Sequence, residues 1–142
     1  MEKEFTTNSA KETQALGQLL AEEVLQTKFP AAAIICLSGE LGAGKTTFTQ
    51  GLLKGLKVKG PYTSPTFVIM KQYKKNIYHL DAYRVAADDI LNLGWEELIA
   101  DKNNILIVEW ADRIKKIIPK NALWIKFEWL DKEKRKIIFI NK

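Results

Sequence analysis

Residues Gly39 to Thr46, reading GELGAGKT, combine three glycines, a lysine and a hydroxyl in the pattern G-x-x-x-x-G-K-[ST]. Each residue type answers a need of polyphosphate binding. Glycine reaches backbone angles closed to other residues and lets phosphate oxygens approach the main chain. Successive N–H groups across Glu40, Leu41, Gly42, Ala43 and Gly44 can then point at one anion, and a helix opening near Lys45 adds its positive end. Lys45 supplies a full charge to the β- and γ-phosphates, and the Thr46 hydroxyl, with Thr47 beside it, is placed to ligate Mg²⁺. A random match in a chain this long is expected on the order of once in 200 sequences. Here the match also falls between an apolar run and a helical pattern, as such a loop requires. The expected ligand is a nucleoside triphosphate.

Phosphoryl transfer needs carboxylates as well, to hold a metal and to position the attacking group. Two apolar runs each end in one: NIYHLD in Asp81 and NILIVE in Glu109. In open α/β sheets the strand ends form the ligand crevice, so both can converge on the phosphates. A carboxylate after a strand is also a common helix cap or solvated end. In the functional reading Asp81 acts on the attacking water and Glu109 completes the Mg²⁺ shell. His79, the single histidine, points to the same side of its strand as Asp81; its type favours a packed, hydrogen-bonded histidine over a proton carrier. Arg84 suits either a phosphate charge or a surface ion pair. Thr66, in the Pro-rich loop TSPTF, sits where switch proteins sense the γ-phosphate. Trp110, after Glu109, reads first as core.

These residues need elements to hold them. EFTT is a short strand. NSAKETQALGQLLAEEVLQ opens with a capping-box pair, Ser9 and Glu12, and sets Ala15, Leu16, Leu19, Leu20 and Val24 on one helical face. AAAIICLSG is apolar throughout, as befits a strand covered on both sides. KTTFTQGLLKGLKV reads as a helix with Phe48, Leu52 and Leu56 spaced by four. Gly51 and Gly55 interrupt it, each costing roughly 1 kcal/mol relative to alanine, which points to close approach of a neighbouring element. TFVIMKQY and NIYHLDAY form a hairpin about KKN, AADDILNLGWEELIA is helical with a break near Gly94, and NNILIVEW is a strongly apolar strand. ALWIKFEWL and KIIFINK, joined by DKEKR, close the chain. Strands alternating with helices predict an α/β layer fold, and the two hairpins predict a mixed sheet.

At 142 residues the whole chain, 1–142, reads as a single domain with no internal repeat or linker. Its 46% apolar and 27% charged residues exclude a disordered or fibrous protein. No apolar stretch is long enough to span a bilayer and the start MEKEFTTNS lacks an export pattern, so a cytoplasmic protein is expected. The lone Cys36 lies in an apolar run and reads as core. The net charge of +5 is uneven: residues 111–142 carry 10 Lys and Arg against 4 Asp and Glu, and the remainder carries 12 against 13. A positive face of this kind attracts polyanions. Charge alone favours the plainer reading, a solvated rim of lysines that only aids solubility.

GELGAGKTTF, SPTF, YHLDAYR and VEW, in that order, resemble the TsaE family, also called YjeE, which supplies the ATPase for threonylcarbamoyladenosine synthesis on bacterial tRNA. The likeness runs from about Phe5 to the final strands, and SPTF and HLDAYR are its specific parts. It implies a small P-loop NTPase-like three-layer fold, hydrolysis of ATP with Mg²⁺, and docking onto a TsaB–TsaD pair that modifies the adenosine beside the anticodon. By that likeness Lys45 holds phosphate, Thr46 and Glu109 hold the metal, Asp81 serves hydrolysis and Thr66 senses phosphate. Base contacts are implied around Asn8 and Ser9 and from the DKEKR turn, and tRNA becomes a polyanion for the basic tail to meet directly or through partners. Two other readings compete: a small-molecule or nucleoside kinase, and a non-catalytic ATP-binding assembly module. A kinase lid usually carries arginines, and Arg84 is the one arginine between the loop and residue 112.

Overall fold

The computed structural model describes residues 2–40, 42–62 and 69–141. Along these, β1 (Glu2–Thr7), α1 (Ala10–Gln26), β2 (Ala33–Gly39), α2 (Lys45–Gly55), β3 (Met70–Tyr73) and β4 (Ile77–Asp81) lead into the short helices α3 (Ala87–Leu91) and α4 (Trp95–Ala100). Then come β5 (Ile105–Glu109), a 3₁₀ segment (Ala111–Ile117), β6 (Leu123–Trp129) and β7 (Arg135–Asn141). The strands form one sheet in the order β1-β7-β6-β2-β5-β4-β3. The inner four, β6-β2-β5-β4, run parallel, while β7 and β3 pair antiparallel at the flanks. The chain thus has the α/β, P-loop NTPase-like three-layer fold with a mixed sheet that its strand and helix pattern predicts.

Side-chain alternation divides the core between the two faces of the sheet. Ile35 and Leu37 of β2 join Ile107 and Phe127 beneath α1 and α2, packed on Leu20, Phe48 and Leu52. Ile34 and Cys36 face the other way, joining Leu80, Leu106 and Val108 against Ile90, Trp95 and Ile114. β2 is therefore covered on both sides, as its unbroken apolar run requires. Burial pushes the Cys36 thiol up to about 12, so the residue packs and does not react.

α1 differs in detail from its predicted face. Leu20 and Val24 are buried, but Ala15 is exposed and Leu19 is 59% exposed. The buried stripe runs instead through Thr13, Gly17, Leu20, Ala21 and Val24. Small residues win this stripe because α2 lies unusually close. A Cβ on Gly51 would land on the Gln14 carbonyl and one on Gly17 would land on the Phe48 carbonyl, so the two backbones meet where neither carries a side chain. The interruptions in the α2 pattern are the contact itself. The 3₁₀ segment escapes sequence reading, because its basic, half-apolar residues match neither helix nor strand period.

Candidate active site

The turn from β2 into α2 carries the glycine loop. Gly39, Gly42 and Gly44 adopt φ of 134°, 77° and 102°, angles that side-chain-bearing residues rarely hold. Gly44 caps α2, so the Phe48 N–H donates to its carbonyl at 2.9 Å and the first free N–H groups of the helix open toward the loop. Leu41 lies outside the described residues. Thr46 is exposed, Thr47 half-buried and Glu40 exposed, on the rim of the turn.

Lys45 is 6% exposed, and its ammonium donates to the carbonyls of Gly39 and, at 3.0 Å, Glu40. It also lies 4.0 Å from the centre of the Trp110 ring, a cation–π contact. Burial lowers its pKa, and the charges of Glu109, Asp112, Asp81 and Glu40, in that order, pull it back up. Four carboxylates are thus near enough to act on the ammonium, though among the described residues none is in ion-pair contact with it.

Register and alternation bring two of those carboxylates there. Leu37 pairs with Glu109, and Glu109 pairs with Asp81, across the parallel strands β2, β5 and β4. Glu109 follows Ile105 and Ile107, and Asp81 follows Ile77, all of which face α1 and α2. Both carboxylates thus leave the strand ends on the side where the loop lies. Asp81 accepts from the Tyr83 N–H at 2.9 Å, which fixes one carboxyl oxygen and leaves the other to act. Burial raises its pKa, the Tyr83 bond opposes that, Glu109 raises it further, and His79 and Lys45 lower it.

Glu109 is 5% and His79 3% exposed. His79 Nε2 lies 2.6 Å from Glu109 Oε2, so the histidine is packed and hydrogen-bonded. Trp110 does more than fill the core: half-buried at φ 58°, it lies under Lys45 and meets the Tyr83 ring at 4.7 Å. Arg84 is exposed, 6.0 Å from the Tyr83 ring, with no ion pair among the described residues. Thr66 lies outside the described residues.

The far rim comes from both ends of the chain. Ser9 Oγ accepts from the Glu12 N–H at 3.1 Å, so Ser9 caps the helix as predicted, but Glu12 Oε1 accepts from the Asn8 N–H at 3.0 Å, one residue before the N–H a capping box would use. Thr7, just before it, pairs with Arg135. The Arg135 side chain in turn lies 3.5 Å from the position a Cβ on Gly44 would take. Asn8, Ser9 and the DKEKR turn therefore gather beside the loop, although one hundred and more residues separate them. Sequence reading misses Asp112 and Tyr83. Asp112 stands three residues past Glu109, a spacing that carries meaning only once Ala111–Ile117 is known as a 3₁₀ turn.

Among the described residues no group of three or more His, Cys, Asp and Glu forms a metal cage. The donor set still suits Mg²⁺, which is held by one or two protein oxygens with phosphates and water completing the shell. Thr46 and Glu109 fit that description. Among the described residues no helix is long and apolar enough to cross a membrane.

The family described as "Threonylcarbamoyl adenosine biosynthesis protein TsaE" matches residues 7–137. The tRNA threonylcarbamoyladenosine biosynthesis protein TsaE of Bacillus subtilis is 34% identical over 138 residues, covering 95% of this chain and 83% of the relative. That of Aquifex aeolicus is 42% identical over 123 residues, covering 83% and 84%. The crystal structure of Bacillus subtilis YdiB matches with a TM-score of 0.74 at 29% identity, over 99% of this chain and 86% of that one. With fold, motif order and near full-length relatives in agreement, the chain belongs to the TsaE family.

Proposed function

We propose that this protein serves tRNA threonylcarbamoyladenosine biosynthesis as a Mg²⁺-dependent ATPase, hydrolysing ATP to ADP and phosphate. One observation carries the reading: a buried lysine at a glycine-rich strand-to-helix turn, near carboxylates from the ends of adjacent parallel strands. The N–H groups of residues 40–46 and the start of α2 receive the phosphate tail, and Lys45 leaves its carbonyl partners to pair with the β- and γ-phosphate oxygens. Bound Mg²⁺ would neutralise charge on those oxygens, with Thr46 and Glu109 as the residues that hold it. Asp81, whose carboxylate burial makes more basic, accepts a proton from the attacking water. Thr66 senses the γ-phosphate, and the rim of Ser9 and the DKEKR turn holds the base. The partner is a TsaB–TsaD pair. The exposed basic residues of 111–142, Arg113, Lys115, Lys116 and Lys120 among them, offer a surface to tRNA or to an acidic partner.

Phosphate release measured alone and with TsaB–TsaD tests this. Release to water, stimulated by the partners, is expected. A phosphorylated nucleoside or sugar product would replace the reading with a kinase, and MgATP binding without turnover would leave an assembly module.

A further inference from the structure

His79 and Glu109 are not register partners. His79 pairs with Ile107, and Glu109 with Asp81, so the two side chains meet diagonally across β4 and β5. With strands about 4.8 Å apart and about 6.6 Å of rise over two residues, residues so placed are roughly 8 Å apart at the backbone and touch only when both side chains lean along the sheet. Here they do, closing to 2.6 Å in a buried setting. An ionised carboxylate can only accept, so Nε2–H donates to Oε2, and Nδ1 is the other ring nitrogen. That nitrogen is buried without a hydrogen-bond partner among the described residues. Glu109 is therefore the only side-chain hydrogen-bond partner of the ring among the described residues.

We propose that His79 is a positioning residue for Mg²⁺ binding: by holding Oε2 of Glu109 it fixes the carboxylate's rotation and leaves Oε1 as the oxygen that would serve a metal. This rests on the ATPase reading above. Packing confines a buried glutamate, but the terminal carboxylate torsion is broad, so a hydrogen bond to one oxygen is what sets its rotation. The ring supplies that bond from the same strand that carries Asp81, locking both acids to one frame. Neighbours that orient a metal ligand in this way are worth about 10- to 100-fold in metal affinity.

The experiment uses the full chain. Mn²⁺ affinity is read by electron paramagnetic resonance with saturating non-hydrolysable ATP analogue, and nucleotide affinity is read separately in EDTA. His79→Phe keeps the ring volume without the donor and should weaken Mn²⁺ about 10- to 100-fold while metal-free nucleotide affinity stays within about twofold. His79→Gln, whose amide nitrogen reaches nearly as far as Nε2, should recover most of the loss; His79→Asn, too short to reach Glu109, should not. Native-like Mn²⁺ affinity in folded His79→Phe overturns the proposal. If that variant does not fold, the Gln and Asn variants decide, and equal affinity in the two overturns it. Failure of the native protein to bind nucleotide with metal would instead overturn the ATPase reading.

Discussion

Replacing Gly51 by alanine sets two effects of opposite sign against each other. In an exposed helix interior the change stabilises by about 1 kcal/mol, because alanine loses less backbone entropy on folding. At this position the added carbon would sit 2.7 Å from the Cα of Gln14 and on top of its carbonyl. Ordinary carbon contacts begin near 3.5 Å, so α1 must retreat by close to 1 Å along an interface where Gly17 and Gly55 also allow no slack. Overpacking of a tight interface costs typically 1–3 kcal/mol, and the rigid backbone on the other side argues for the upper half. Net destabilisation of about 1–2 kcal/mol follows, or roughly 3–6 °C in melting temperature for a chain of this size. The clash can also be relieved from the other side, and since α2 begins at Lys45, any share of the shift taken by α2 should weaken nucleotide binding, which alanine at an isolated glycine would not do. Thermal unfolding with and without MgATP provides the assay. An alanine variant as stable as the native protein would refute the claim that the glycines exist for helix contact.

Lys45→Ala should abolish tight ATP binding, seen as loss of the calorimetric heat at nucleotide concentrations that saturate the native protein; retained binding would remove the lysine from the phosphate site. Asp81→Asn should bind ATP and turn it over slowly, and normal turnover would free Asp81 from any part in hydrolysis. Because burial raises the Asp81 carboxyl, folding favours its neutral form more than the unfolded chain does, so its stabilising contribution is full at low pH and is lost as pH rises through the folded value. Asp81→Asn should therefore raise the melting temperature at pH 7, with the gain vanishing below about pH 4 where the acid is protonated folded or unfolded. Association of the basic 111–142 surface with tRNA should weaken as salt rises, through counterion release; a flat response in a binding titration would exclude direct phosphate contact.

The sequence alone determined the loop, its strand and helix flanks, and the two acids at strand ends, because each is written in a local pattern. Glycine angles, apolar runs and the spacing of Phe48, Leu52 and Leu56 all act within one or two turns of chain. The doubled apolar face of β2 and the hairpin about Lys74 to Asn76 were legible for the same reason. Strand order was not legible, since β1 pairs with β7 from the opposite end of the chain and no local pattern records a partner's register. Three facts at the site depend on that order. Asp81 and Glu109 become neighbours, His79 reaches diagonally to Glu109, and Arg135 comes to lie over Gly44. The buried stripe of α1 was likewise decided by α2, whose glycines drew the helix in on its small residues and left Leu19 to solvent. Chemistry types are local properties of side chains, whereas distances between them are properties of packing, and only the folded sheet turns one into the other.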